Sequence, residues 1–288
     1  MKLSDIYKTD DLAVSYEIFP PKDDETGDKL SKLYSELESL KKYNPSLVSV
    51  TYGAGGSNRN LSLDIISYIY NELKLNVMPH FTCICTKKDD IETYLKEIQK
   101  YQIKNILALR GDEPKDSTIC YRDFRYANEL VEFIKSNTDL SVAVAGYPEK
   151  HSDAPNLDTD ITNLKRKITA GGEVIFTQMC FDNDKFFNYI EKINKIGINV
   201  PVAFGVLPVL SYKQFEKMMS MATVSVPKKL LDGLEKFKDN SDDVKKLGID
   251  FATEQCQELI DSKVVAGLHF YTLNKAYSTS NILDNLGF

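Results

Sequence analysis

The chain has 288 residues and is 42% hydrophobic and 27% charged, enough apolar content for a sizeable core, which excludes disorder. A formal net charge of −6 gives nucleic acid and anionic membranes no electrostatic help, leaving small molecules as partners. No run approaches the roughly 20 apolar residues of a membrane span, and residues 1–11 lack a signal peptide's apolar core, so the sequence reads as cytoplasmic.

Residues 13–19 (A-V-S-Y-E-I-F) alternate, with Val14, Tyr16 and Ile18 on one face and Ser15 and Glu17 on the other, which predicts a strand closed by Pro20 and Pro21. From Asp24 the period becomes helical, and Leu30, Leu33, Tyr34, Leu37 and Leu40 form one apolar stripe. The unit recurs. Strand 47–51 leads through a glycine-rich turn, 52–58, into a helix over 61–73. Strand 76–82, weakened by Pro79, precedes a helix over 89–101. Residues 106–109 (I-L-A-L) form a short buried strand that runs into Arg110, Gly111, Asp112 and a terminating Pro114, then a loop to Tyr121 and a helix from Asp123 to about Ser136.

Strand 141–145 is followed by the loop 146–151 and a helix over 158–170, and strand 173–178 by a helix over 183–196. Strand 202–207 leads through 208–211 into more helix; 227–262 reads as one or two added helices before strand 268–273, and helix 274–286 ends the pattern. Strand and helix thus alternate about eight times without a linker of domain-boundary composition. The prediction is one (β/α)₈ TIM barrel spanning residues 1–288, with an extra helical insertion before the last strand. A doubly wound open sheet would want fewer strands and a G-x-G-x-x-G after the first, which is absent.

In such a barrel the chemistry sits at the carboxyl ends of the strands. Glu17, Thr51, His80 with Thr82, Arg110 with Asp112, Tyr147 with His151, and Gln178 fall at or just after successive strand ends. Glu17 lies beside Ile18 and Phe19, where desolvation would keep it protonated as a general acid; alternatively it is ion-paired with a lysine or Arg110. Asp112 shares strand parity with Arg110, so the two either pair or both face a bound aromatic group carrying transient charge. Asp160, Asn163 and Lys167 occupy one helix face at i, i+3 and i+7, suited to phosphate or ribose contact or simply to a charged first turn. His80, His151 and His269 lack metal-like spacing, and the five cysteines, odd in number and scattered, read as reduced thiols; no metal is expected.

The segments V-S-Y-E-I-F-P-P (14–21), S-V-T-Y-G-A (49–54), P-H-F-T-C (79–83), A-L-R-G-D (108–112), G-Y-P-E-K-H (146–151), N-L-K-R-K (163–167), G-V-L-P-V (205–209) and H-F-Y-T-L-N (269–274) occur in one order. Together they resemble the methylenetetrahydrofolate reductase family, in its bacterial flavoprotein form with a single catalytic barrel. The resemblance implies FAD at the barrel mouth and ping-pong reduction of 5,10-methylenetetrahydrofolate to 5-methyltetrahydrofolate by NADH or NADPH, feeding methionine synthesis. It implies that Glu17 protonates the folate N10 and that Asp112, ionised between flavin and pterin, stabilises the resulting cation.

The same resemblance assigns Thr51, His80, Arg110, Gly111, Asp112, Tyr147, His151, Asp160, Asn163, Arg166 and Lys167 to FAD. Gln178, Tyr212 and Lys275 fall to the folate, with Tyr212 standing where the family has a stacking phenylalanine and Lys275 where it has arginine. Met179-Cys180-Phe181 departs from a run of phenylalanines, which bears on affinity and nucleotide choice rather than on reaction class. A homo-oligomer is implied. The alternative is a folate- and flavin-binding barrel subunit that needs a partner protein for electrons. A phosphate-binding aldolase would need a Schiff-base lysine at a strand end, and no interior strand ends in one.

Overall fold

Parallel strands covered on both faces need apolar side chains on both, which is why runs such as Val202–Val206 carry no charge. The computed structural model describes residues 1–8, 11–21, 27–51, 59–112, 120, 123–220 and 224–288. Among these, eight parallel strands close into a barrel in sequence order. They are β1 (Ala13–Ile18), β2 (Leu47–Val50), β3 (Val77–Thr82), β4 (Asn105–Leu109), β5 (Ser141–Gly146), β6 (Val174–Thr177), β7 (Val202–Val206) and β8 (Gly267–Tyr271). The ring closes where Ala13 to Glu17 pair with Gly267 to Tyr271.

The alternation read in β1 holds. Val14, Tyr16 and Ile18 pack into the large core between barrel and helices, whereas Ala13 joins the barrel-interior cluster with Leu47, Met78, Leu107, Ala143, Val174 and Ala203. Pro79 does not break β3. Val77 to Pro79 pair with β2 and His80 to Thr82 with β4, so the proline falls where the strand changes partner. Gly205 faces inward, and a Cβ there would lie 2.3 Å from the Thr177 carbonyl and 2.8 Å from the Tyr271 ring. Its hydrogen is what lets Tyr271 lie across the barrel.

The helices follow the expected order: α1 (Leu3–Ile6), α2 (Asp28–Lys41), α3 (Arg59–Asn71), α4 (Lys88–Lys100), α5 (Ala127–Asn137), α6 (Leu157–Thr169), α7 (Asn183–Lys195), α8 (Tyr212–Met219), α9 (Lys228–Phe237), α10 (Ser241–Ser262) and α11 (Ala276–Leu286). The insertion before β8 is α9 and α10. Two differences have physical causes. The sequence pattern did not show α1, a single turn whose Leu3 and Ile6 plug the amino-terminal end of the barrel. The helix expected from Asp123 begins at Ala127 because Asp123 accepts the Lys88 N–H of α4 (2.9 Å), while Glu129 caps the Tyr126 N–H. The glycine-rich turn at 52–58, Pro114 and Tyr121 lie outside the described residues. Cys85 and Cys120 are bonded to each other, with Cα atoms 4.3 Å apart, which corrects the expectation of reduced thiols throughout. Odd number and scatter in sequence hide a pair that the barrel brings together from two neighbouring strand-end loops. Cys83, Cys180 and Cys256 are buried thiols.

Candidate active site

At the carboxyl ends of the strands two cavities adjoin. A central one of about 530 Å³ lies over the barrel axis, and a side groove of about 790 Å³ runs between the β4 and β5 ends and α6. Ile84, Leu109, Ala145 and Tyr147 wall both, so they communicate.

Glu17 enters the central cavity from β1, and its backbone oxygen accepts the Thr272 hydroxyl at 2.7 Å. Desolvation raises its carboxyl to about 7. His80 Nε2 lies 3.8 Å from Glu17 Oε2, but burial lowers His80 to about 3, so the ring is neutral and the contact is not an ion pair. His269, opposite, is likewise lowered to about 3 by burial, with His80 adding to the effect. Of the alternatives left open for Glu17, the protonated acid is the one with a physical basis. Arg110 lines the other cavity, where its guanidinium donates to Asp153 at 2.6 Å.

Asp112, Thr51, Gly111 and Gln178 also line the central cavity. The reading that Asp112 and Arg110 face the same way is corrected. Gly111 has φ 81, a left-handed backbone that ends strand alternation, so Asp112 turns to the central cavity while Arg110 lines the side groove. A Cβ on Gly111 would meet Thr82 at 2.9 Å, so the position needs glycine on both counts.

The groove gathers Arg110, Tyr147, His151, Asp160, Asn163, Arg166 and Lys167. The helical face expected at i, i+3 and i+7 is therefore presented to it. Lys167 reaches from α6 to donate to the Ala145 carbonyl at 2.5 Å, and burial lowers its amine to about 8 against the opposing pull of Asp160. Asp160 is itself raised by burial, an effect countered chiefly by Lys167. Arg166 donates to Asn163 at 3.1 Å, and the Asp153 N–H donates to His151 Nδ1 at 3.1 Å.

Two expected substrate residues line neither cavity. Tyr212 begins α8 and its hydroxyl donates to Glu235 at 2.7 Å, and Lys275 is exposed at the N-cap of α11. Residues the sequence reading passed over do line the centre: His269 and Tyr271 of β8, Phe176, Leu207 and Met218. His269 Nδ1 is 2.8 Å from Ser15 Oγ, and the Tyr271 hydroxyl donates to the Thr177 carbonyl at 2.7 Å. Their signal was present, because β8 alternates Leu268 and Phe270 outward with His269 and Tyr271 inward, as β1 does. Asn274 clamps this rim, its amide exchanging hydrogen bonds with the Phe19 backbone at 2.9 and 2.7 Å.

The donor set fits a two-part ligand with a planar end and an anionic end. The central cavity has apolar walls and the buried His80 Nε2, which has no hydrogen-bond partner among the described residues. The groove supplies cations and hydroxyl or amide partners for a phosphate-bearing chain. Among the described residues no cluster of His, Cys, Asp or Glu is arranged to hold a metal ion, and no helix is long and apolar enough to cross a membrane.

Comparison with known proteins matches residues 2–287 to the family model described as methylenetetrahydrofolate reductase. The chain is 36% identical over 300 residues to methylenetetrahydrofolate reductase (NADH) 1 of Arabidopsis thaliana, covering 99% of this chain and 50% of that protein. It is 34% identical over 279 residues to 5,10-methylenetetrahydrofolate reductase of Escherichia coli, covering 96% and 91%. The chain thus spans about half the length of the plant relative and most of the bacterial one. Among solved structures, a Clostridium thermocellum protein that binds two copies of 5-methyl-5,6,7,8-tetrahydrofolic acid superposes with a TM-score of 0.62 at 14% identity, over 97% of this chain and 95% of that one, a likeness of fold.

Proposed function

The chain belongs to the methylenetetrahydrofolate reductase family, and on that premise we propose that residues 1–288 form one catalytic barrel that reduces 5,10-methylenetetrahydrofolate to 5-methyltetrahydrofolate. The observation that carries the reading is Glu17, a carboxyl raised to about 7 by desolvation in a cavity flanked by neutral histidines. An acid with that value is protonated in a large share of molecules near neutral pH and still able to give the proton up. Glu17 protonates N10 of the folate, which opens the five-membered ring to an N5 iminium cation. Asp112, across the same cavity, sets a negative charge beside that cation. Gln178 positions the pterin, and the apolar walls of Phe19, Leu107, Phe176 and Leu207 exclude water.

The residues that would hold FAD are Thr51, His80, Gly111 and Asp112 around its ring system, Tyr147 at the junction, and Arg110, His151, Asp160, Asn163, Arg166 and Lys167 along the groove. Bound there, FAD would take a hydride from NADH or NADPH and give one to the folate in turn. With His80 neutral and Glu17 protonated in a large share of molecules, the negative charge that this reading gives to Asp112 faces a chamber of otherwise apolar and uncharged walls, which a nicotinamide and a pterin can occupy by turns.

The test is spectroscopic. The purified chain should show oxidised flavin, bleach anaerobically with NADH or NADPH, and recover its absorbance when methylenetetrahydrofolate is added. A flavin that the folate reoxidises but neither nucleotide reduces would replace this reading with that of a subunit dependent on a partner for electrons. A chain that binds no flavin would overturn it.

A further inference from the structure

The H-F-Y-T-L-N segment singled out in the sequence ends on Asn274, which lines neither cavity. It follows β8 in a turn where two successive residues take left-handed backbone, Leu273 at φ 49 and Asn274 at φ 59. Asparagine tolerates that region and leucine seldom enters it. The turn is held all the same: the Thr272 hydroxyl donates to the Glu17 carbonyl at 2.7 Å and accepts the Asn274 N–H at 3.2 Å, and the Lys275 N–H donates to the Thr272 carbonyl at 3.0 Å. A strained backbone kept in place at a cavity rim points to whatever it aims, which here is the Asn274 side chain.

That side chain grips Phe19. The ladder of β1 ends at Ile18, whose carbonyl accepts the Thr51 N–H at 3.0 Å, and Pro20 and Pro21 beyond it are buried. Phe19 stands between these two anchors, past the last paired residue. Its N–H donates to Asn274 Oδ1 at 2.9 Å and its carbonyl accepts Asn274 Nδ2 at 2.7 Å, and these are its only backbone hydrogen bonds among the described residues. One amide thus takes the place of a neighbouring strand. Making both bonds needs a short planar group with one donor and one acceptor, and among residues at home in left-handed backbone that group belongs to asparagine. Phe19 lines the central cavity together with Glu17 and, 38% exposed, is the outermost of its aromatic walls.

We propose that Asn274 is a positioning residue: it holds Phe19 as the shield between water and the Glu17 carboxyl, and through Phe19 it controls the solvation of the acid from outside the cavity. The kinetic consequence rests on the reading of Glu17 as the folate's proton donor. Without the clamp the Phe19 peptide turns its N–H and carbonyl to water and carries the ring off the carboxyl, while Glu17 and Ile18 stay in the ladder with β2. Desolvation is what raises Glu17. The ionisable groups that share its cavity are His80 of β3, Asp112 after β4, Tyr147 after β5, and His269 and Tyr271 of β8; β2 brings none, and burial keeps both histidines neutral. No cation lines the cavity among the described residues, so hydration of the carboxyl lowers its value toward the ordinary 4.5.

The test follows the Glu17 carboxyl itself, by carbon NMR of the full chain labelled at its glutamate carboxyls, with the signal assigned by its loss in Glu17→Gln. Asn274→Gly keeps the left-handed turn and removes only the clamp, so Glu17 should titrate at about 6 or below rather than near 7. Phe19→Ala, which leaves the backbone bonds to Asn274 in place, should give the same fall. The double variant should fall no further than either alone, since both act through one ring. In the kinetic arm, a value lowered from about 7 to about 6 leaves about tenfold fewer protonated molecules at about pH 8 and nearly as many at about pH 5.5. Reoxidation of the flavin by methylenetetrahydrofolate in Asn274→Gly should slow accordingly, about tenfold at the higher pH and less than about twofold at the lower. Glu17 still titrating near 7 in Asn274→Gly or in Phe19→Ala, or an Asn274→Gly chain that does not fold, would overturn the proposal. A lowered titration in both variants, with a folate step that slows equally at the two pH values, would leave the clamp standing and remove Glu17 as the proton donor.

Discussion

The two cavities at the barrel mouth treat charge in opposite ways. In the central one, burial discharges the groups that the strands carry: Glu17 rises to about 7, and His80 and His269 fall to about 3. In the side groove, charges are kept and matched, Arg110 on Asp153 at 2.6 Å and Lys167 against Asp160. The difference follows from where the side chains originate. Glu17, His80 and His269 project from strands into the barrel axis, which water reaches only through the mouth, whereas the groove is built from a helix and loops at the rim. A chamber that strips charge suits proton transfer to a substrate. A groove that balances it suits the grip on an anion.

Exchanging the acid for an amide breaks that division most sharply. Glu17→Gln keeps the size and neutrality of the protonated side chain but removes the transferable proton. Reoxidation of the flavin by methylenetetrahydrofolate should slow by about 10²- to 10⁴-fold, the usual contribution of a positioned acid, while reduction by the nicotinamide nucleotide proceeds as before. Rapid-mixing absorbance of the two half-reactions separates them. Equal slowing of both would mean that Glu17 places the cofactor rather than a proton.

Much of this site was legible because a β-strand repeats every two residues. Ser15 and Glu17, opposite Val14, Tyr16 and Ile18, mark an inward carboxyl by alternation alone, and the Asp160, Asn163 and Lys167 face of α6 was equally plain. The rest failed where periodicity ends. Parity carried past Leu109 put Asp112 beside Arg110, but one left-handed glycine separates them into different cavities. The Cys85–Cys120 bond joins loops 35 residues apart, a distance in sequence that spacing does not read. Tyr212 and Lys275 were placed by likeness to the family, and in this chain their side chains lie away from both cavities.

The charge-stripped chamber also leaves a mark on stability. The folded value of Glu17 lies above its ordinary 4.5, so the fold accommodates the protonated form at no cost below about pH 4.5 and loses stability as pH rises through about 7. His80 and His269 act in the opposite sense: lowered from 6.5 to about 3, they cost stability as pH falls below 6.5. Subtracting wild type from Glu17→Gln cancels the histidines. Chemical denaturation of the ligand-free protein should therefore show the variant gaining on wild type between pH 4.5 and 8, by on the order of 3 kcal/mol. Parallel curves would mean that water reaches the carboxyl.

The groove should answer with the reverse pattern, a change in binding without a change in chemistry. Lys167 is lowered to about 8 by burial, so its amine is cationic below that pH and neutral above it. An anion bound beside it favours the charged form, so by linkage FAD retention should weaken as pH rises above about 8. Lys167→Met fills the same space without the charge and should loosen FAD by about 1.5 to 3 kcal/mol while abolishing that pH dependence. Turnover per bound flavin should stay at the wild-type level, measured by activity against flavin absorbance during dialysis. If turnover per flavin falls with occupancy, the cation acts on the chamber through Tyr147, the wall the two cavities share and over whose ring Lys167 sits at 5.7 Å. Chamber and groove would then work as one electrostatic unit, and their opposite treatment of charge would be a consequence of depth alone.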